Sequence, residues 1–412
     1  MATKGAGRSG ASFSDEDARR VLDAIDADET IRFLRDLVRV PSVNPPGDVT
    51  EAIAVCEAPL AAAGFAIRRE STVPTKPNLI AAFGTDGGPL LCFNAHVDVV
   101  PTGEASAWSH APFGAELVDG RVYGRGAGDD KASVTAQVMA GIALARSGVE
   151  LSGRLIVNEV ADEETSGTDG ARFIVEAGHI KPDFVIVGEQ TLNRVCIGEK
   201  GTAGTTIIVG GRAAHGALPW EGANAIEGAA RIITALQDEL WPQLEKRTHP
   251  YFHHSSASVN MIDGGVKSNV VADRCEVFVD RRLVPGEDPV ETVAEIGAIA
   301  KRAIAGMKGV RVEVTAAAKE TRPATLSDPE SPLVRAMLGA NQYLGLSTEL
   351  TGFSMATDGR FFAATGYPTI IYGPGDPKLA HIPDEWVGVD EVLEATRAYA
   401  LAALALIGPG SR

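Results

Sequence analysis

Three consecutive carboxylates, Asp162-Glu163-Glu164, follow the apolar run Leu155-Ile156-Val157 and precede Ser166-Gly167. Side chains alternate faces along a strand, so at a strand end Glu164 can hold a metal ion while Glu163 turns toward whatever the ion binds. One carboxylate then coordinates and the next moves protons to and from water, which is the division of labour in metal-assisted hydrolysis. An acidic run is more often a solvated loop, so the reading needs partners elsewhere in the chain. Four positions supply them. In His96-Val97-Asp98 the strand period puts His96 and Asp98 on one side, where His96 can bind a metal and Asp98 can orient the other ring nitrogen. Asp129 closes the glycine-rich stretch Gly124-Arg125-Gly126-Ala127-Gly128, whose small residues let one carboxylate enter a crowded site and touch two cations. Glu189 follows the apolar run Val185-Ile186-Val187, and His381 lies in the loop 373–383. Two histidines and three carboxylates suffice for two cations, each with one histidine and one carboxylate, and with the third carboxylate between them.

The elements that must carry these residues alternate. Apolar residues recur at helical spacing from Asp15 to Val40, where Pro41 stops the pattern, and again from Glu51 to Ala63. Strands are expected over 66–68, 78–83, 90–97, 155–157 and 183–188, with helices over 133–145 and 167–177 between them. This alternation predicts an α/β sheet domain, and His96, Asp129, Glu164 and Glu189 all fall at strand ends or βα loops, the edge where open α/β sheets build sites. From Gly198-Glu199-Lys200-Gly201 the pattern changes to strands separated by two helices, which predicts an inserted α+β domain over 199–316. The catalytic domain is therefore expected in two parts, 15–198 and 317–412.

Composition excludes several function classes. A formal net charge of -16 over 412 residues argues against nucleic acid or an anionic membrane as the main partner, since both need a basic footprint. Cys56, Cys92, Cys196 and Cys275 are widely spaced and read as reduced, buried thiols. Met1 to Ser14 is rich in Gly, Ala and Ser without an apolar core, so it reads as a disordered tail on a cytoplasmic protein rather than a signal peptide. The glycine-rich stretch fails as a dinucleotide fingerprint because Asp129 stands where the third glycine belongs and would repel a pyrophosphate.

Taken in order, His96-Val97-Asp98, Gly124 to Asp129 with Lys131, Asp162-Glu163-Glu164, Gly188-Glu189 and Gly373-Pro374-Gly375 through His381 resemble the M20-type metallohydrolases. That group includes acetylornithine deacetylases, succinyl-diaminopimelate desuccinylases, aminoacylases and carboxypeptidase G2. The resemblance runs from about residue 30 to the C-terminus and implies a mixed-sheet α/β catalytic domain with an inserted α+β lid that dimerises. It implies His96 and Glu189 on one metal, Glu164 and His381 on the other, and Asp129 bridging with a water. Asp98 matches the residue that supports His96, Glu163 the general acid/base, and Asp129-Asp130 a cis peptide. Asp130 departs from the commoner Met at its position. In the insert, His215 matches a lid histidine implied to reach a partner subunit's active site and steady the oxyanion, while Asn269 and Arg282 match positions tied to substrate carboxylates. Arg360, in Thr357-Asp358-Gly359-Arg360, is a third position of that kind. The plainer readings are an exposed loop histidine for His215 and structural ion pairs for the arginines.

The expected activity is hydrolysis of the amide of an N-acylated amino acid or related small molecule bearing a carboxylate. Two divalent ions would serve it, zinc on the His and carboxylate donor set, with manganese or cobalt sharing that preference. A dipeptidase or exopeptidase with the same metals, hydrolysis of a non-peptide C–N bond, a silent binding protein and a nucleotide-dependent oxidoreductase are the competing readings. Intact Glu163 and five ligands oppose the silent protein. The sequence has no Gly-x-Ser-x-Gly elbow, Walker loop or His-Glu-x-x-His helix.

Overall fold

The computed structural model describes residues 13–409, so most of the N-terminal tail expected over Met1 to Ser14 lies outside the described residues. The chain divides into two compact units, the first formed by 1–198, 327–353 and 357–412, the second by 199–326 with 354–356. The strands in chain order are β1 (Ala66–Glu70), β2 (Asn78–Gly84), β3 (Leu90–His96), β4 (Glu116–Val118), β5 (Arg121–Tyr123), β6 (Arg154–Val160), β7 (Phe184–Gly188) and β8 (Val195–Glu199). They are followed by β9 (Gly201–Gly210), β10 (Ser256–Gly264), β11 (Arg274–Leu283), β12 (Arg311–Arg322), β13 (Leu350–Phe353), β14 (Thr369–Tyr372) and β15 (Trp386–Gly388).

In the first unit an eight-stranded sheet runs β1-β2-β6-β3-β7-β14-β8-β13. Its centre, β6-β3-β7-β14, is parallel, whereas β1-β2 and β2-β6 are antiparallel. Parallel strands are buried on both faces and read as continuous apolar runs, as Leu91-Cys92-Phe93 and Val185-Ile186-Val187 do. The helix Lys131–Ser147 is buried on nearly every side and packs against the C-terminal helix Val389–Ile407 and against β3. The continuous helical pattern expected from Asp15 to Val40 is two helices, Asp15–Asp23 and Ala27–Val38. Asp26 breaks it by capping the second, its carboxylate accepting the Glu29 N–H at 2.9 Å.

The second unit is a four-stranded antiparallel sheet, β10-β11-β9-β12. Along β11 burial alternates with the two-residue period, so Cys275, Val277 and Val279 face a core shared with Ile207, Val209 and the helices Ala225–Ala235 and Pro289–Ala303. Sheet and helices thus follow the expected pattern, but the boundary expected near residue 316 falls inside β12. That strand pairs with β9 as far as Arg322 opposite Thr202. The apolar alternation Val310-Val312-Val314 ends before it, so the last turns of β12 carry no strand-like pattern. Residues 354–356, expected with the catalytic part, also cluster with the second unit.

Candidate active site

The four central parallel strands end at one edge of the sheet, and each delivers an acidic or imidazole group there. His96 closes β3, Asp162 to Glu164 follow β6, Glu189 follows β7, and the chain after β14 leads to His381. Asp129 arrives from the loop before the buried helix, across a cis Asp129–Asp130 peptide.

At that edge the side chains converge on Asp129. His96 Nε2 lies 3.2 Å from Asp129 Oδ1, and His381 Nε2 lies 3.2 Å from both Asp129 Oδ2 and Glu164 Oε2. Donor atoms of His96, Asp129 and Glu164 all fall within 4.8 Å of one another. Glu164 Oε1 is buried without a hydrogen-bond partner. His96 is 3% exposed and His381 51% exposed, so the cluster has a closed side and an open one.

The electrostatics are those of crowded carboxylates. Burial, with Asp129 beside it, pushes Glu164 up to about 7, and burial together with Asp129 and Asp130 raises Glu189 as well. Burial also works against the Asp129 carboxylate, but hydrogen bonds from His381 and His96 outweigh it and hold the group below the usual carboxylate range. Asp129 and Glu164 in turn hold His381 at about 10. Groups that raise one another in this way gain from a cation among them. A buried oxygen with no donor and an N/O donor set without sulfur fit a hard or borderline divalent ion.

Asp98 takes a different part from the one its spacing suggests. His96 Nδ1 meets the backbone carbonyl of Asp98 at 3.0 Å, while the carboxylate stands at 3.6 Å, beyond a normal hydrogen bond. That carboxylate instead accepts the Glu163 and Glu164 N–H groups, each at 3.3 Å, and Asn44 Nδ2 at 2.8 Å. One residue therefore orients the imidazole through its main chain and the acidic turn through its side chain.

Two further supports were not read from the sequence as site residues. Asp162 takes a left-handed φ of 70°, which Asp tolerates because its short side chain bonds locally. Its carboxylate accepts Lys76 Nζ at 2.6 Å, Thr165 Oγ1 at 2.7 Å and Ser166 Oγ at 3.0 Å. The turn this fixes sends Glu163 and Glu164 onward. Glu385, fully buried, accepts the Gly128 and Asp129 N–H groups at 2.9 and 3.0 Å and pairs with buried Arg125. Its only sequence signal was a carboxylate four residues beyond His381.

Glu163 lies beside Arg360, whose NH1 approaches Glu163 Oε1 at 3.4 Å and donates to the Thr357 carbonyl at 2.7 Å. In the second unit His215 and Asn269 are brought together, since the Gly216 N–H donates to the Asn269 carbonyl at 2.8 Å and His215 bridges to Val270. Both are exposed. Arg282 on β11 is held by Asp280, with Nε–Oδ1 and NH2–Oδ2 both 3.0 Å.

Residues 92–405 match the family described as Peptidase family M20/M25/M40. The chain is 33% identical over 386 residues to the succinyl-diaminopimelate desuccinylase of Phenylobacterium zucineum, covering 92% of this chain and 97% of that enzyme. It is 32% identical over 381 residues to the desuccinylase of Caulobacter sp. strain K31, covering 90% and 94% of the two chains. Among solved structures, human carnosine dipeptidase 1 superposes with a TM-score of 0.75 at 16% identity, covering 94% of this chain and 98% of that one. A dinuclear metal-binding M20 peptidase of Bacillus subtilis gives 0.71 at 18%, covering 92% and 98%. At such identities these two structures speak for the fold alone.

Proposed function

The chain belongs to peptidase family M20/M25/M40, and from this we propose that it is a metal-dependent hydrolase of the amide bond in an N-acylated amino acid or related small molecule. The observation that carries this reading is the convergence of His96, Glu164 and His381 on Asp129, with Glu163 one residue away. We assign His96 and Glu189 to one divalent ion, Glu164 and His381 to a second, and Asp129 to both. Zinc suits the donors, with manganese and cobalt as the alternatives to compare. Ions bound there supply Lewis acidity, polarising the amide carbonyl and lowering the pKa of water from 15.7 to about 7.

The protein's own chemistry then falls to Glu163. It takes a proton from water as the water oxygen bonds to the amide carbon, and it passes that proton to nitrogen as the C–N bond breaks. Arg360, against Glu163 Oε1, limits where that carboxylate can swing. Asp98 fixes the acidic turn from behind. Two divalent ions against Asp129, Glu163, Glu164 and Glu189 leave the centre near neutral, so a substrate carboxylate must find its cation elsewhere. Arg282 and Arg360 are assigned that charge, and Asn269 a hydrogen bond from its amide to the same carboxylate.

The desuccinylase relatives favour a substrate whose acyl group and amino acid both carry carboxylates. A peptidase would need a polar pocket for a free amine, and the dipeptidase likeness, at 16% identity, does not reach that far. His215 is assigned to oxyanion stabilisation in the active site of a second copy, within a homodimer. The outer edge of β10 supports an assembly there, with Met261 69% and Ile262 57% exposed on an edge strand. Four free, buried cysteines suit a reducing cytoplasm, and among the described residues no helix is long and apolar enough to cross a membrane.

Metal-dependent amine release from N-acetyl, N-succinyl and N-aroyl amino acids, set beside unblocked dipeptides, tests the reading with Glu163→Ala as control. Turnover of acylated substrates that vanishes in the control is expected. Turnover of dipeptides alone would overturn it in favour of a peptidase.

A further inference from the structure

We propose that Glu385 is a positioning residue that locks Asp129 to the loop bearing His381, so that the fold itself assembles the second ion's donors. The inference rests on the di-metal reading above. It begins with a topological difficulty: Asp129 and His381 come from loops 252 residues apart in sequence by the numbering of the chain, and neither loop belongs to the sheet. The side chain of Asp129 nevertheless meets His381 Nε2 at 3.2 Å.

Glu385 closes that gap. One oxygen, Oε1, accepts the N–H groups of both Gly128 and Asp129, at 2.9 and 3.0 Å, and Oε2 meets Arg125 NH1. Its main-chain carbonyl accepts the Gly124 N–H at 2.9 Å. Next to it, Asp384 Oδ1 accepts the Ser109 and His110 N–H groups at 2.8 and 3.0 Å. The loop that carries His381 is thus stitched at both ends of the stretch Gly124 to Asp129. His96 needs no such device, since it ends a central strand and is oriented by the Asp98 carbonyl.

The bracket requires acceptors on both faces of the side chain, two amides on one and a guanidinium on the other. A carboxylate provides them. A glutamine does not: with its oxygen toward the amides its NH2 faces Arg125, and turned round its NH2 faces two N–H groups. Glu385→Gln therefore breaks the bracket with almost no change of volume. Adding Arg125→Met removes the donor on one face, so that the glutamine oxygen can serve the amides again.

The test is calorimetric titration of metal-free protein with zinc, with cobalt absorption as the reporter of coordination. Wild type is expected to bind two ions. Glu385→Gln is expected to weaken the first ion modestly, because Asp129 serves both, and to lose about 10- to 100-fold in the second, the usual cost of removing a group that orients a ligand, with a weakened cobalt band for the second equivalent. The double variant Arg125→Met/Glu385→Gln is expected to regain the second ion. A part in stability alone would lower the melting temperature of Glu385→Gln and leave both affinities at wild-type values, and that result would overturn the proposal. So would a double variant that binds the second ion no better than Glu385→Gln. Should Glu385→Gln fail to fold, the double variant decides by itself, with loss of its second ion counting against the proposal. Wild-type protein that binds fewer than two ions would instead remove the di-metal reading, and this inference with it.

Discussion

The cluster around Asp129 and the loop tip around His215 are built on opposite terms. Around Asp129 every group has been placed by something else: His96 by a strand and a carbonyl, Glu163 and Glu164 by Asp98, and Asp129 by Glu385. Burial is deep on the side of His96, while His381 stands half exposed on the other. At the other place, His215 and Asn269 are exposed, and the His215 ring accepts the Ala217 N–H, two residues away, at 3.0 Å. On the reading proposed above, the groups that make the reaction are assembled within one unit, whereas His215 takes its part only in the site of a second copy.

Replacing Glu163 should separate chemistry from assembly most sharply. Glu163→Ala is expected to lower kcat by about 10²- to 10⁴-fold, the range for a general acid/base, while metal analysis after gel filtration still finds both ions. If ions leave with the activity, Glu163 is a ligand and the distinction between it and Glu164 disappears. His215→Ala probes the other side. Its expected loss is about 10²- to 10³-fold in kcat, as for one oxyanion donor, with an unchanged melting temperature because the side chain is exposed. Mixing inactive Glu163→Ala with inactive His215→Ala after unfolding and refolding should restore turnover, since a hybrid dimer owns one site with both groups intact. Hybrids without turnover would confine His215 to its own chain. Arg282→Ala should act on KM, raising it about 10-fold for substrates with a carboxylate and leaving neutral analogues unaffected. The bond between Arg282 and Asp280 supplies the rival outcome, a lower melting temperature with KM intact.

This contrast also explains what the sequence disclosed. Residues at strand ends were legible because parallel strands must be apolar runs, and a charged residue at the end of such a run stands out. His96, Glu164 and Glu189 stand out in this way, and the sheet edge gathers their strand ends. The supports were not legible. Glu385 acts through backbone amides far away in sequence, Asn44 through a carboxylate at residue 98, and no local spacing announces either contact. Asp98 shows the limit within a single motif. Its position two residues beyond His96 was informative, but whether the carbonyl or the carboxylate meets the ring depends on how the chain leaves the strand. The end of the insert failed for a related reason, since β12 continues on pairing with β9 after its apolar alternation stops.

Lys76 offers the smallest effect and the sharpest complement to His215, because it should alter stability where His215 alters only rate. Its side chain is 15% exposed, and the ammonium sits 2.6 Å from the Asp162 carboxylate. Burial alone would push Asp162 up, yet Lys76, Thr165, the Asp169 N–H and Asn44 together bring it down to about 2. A carboxylate depressed on folding contributes stability above its unfolded pKa of about 3.9 and loses it as pH falls through the folded value. Lys76→Met removes one share of that depression, on the order of 1 kcal/mol once partial exposure is allowed for. Denaturant unfolding should therefore show the variant weaker than wild type at pH 7, with the gap closing between about pH 4 and pH 2 as Asp162 is protonated in both. A gap that stays constant across that range would mean that Lys76 contributes packing rather than charge, and that the acidic turn is held by its hydroxyl and amide donors alone.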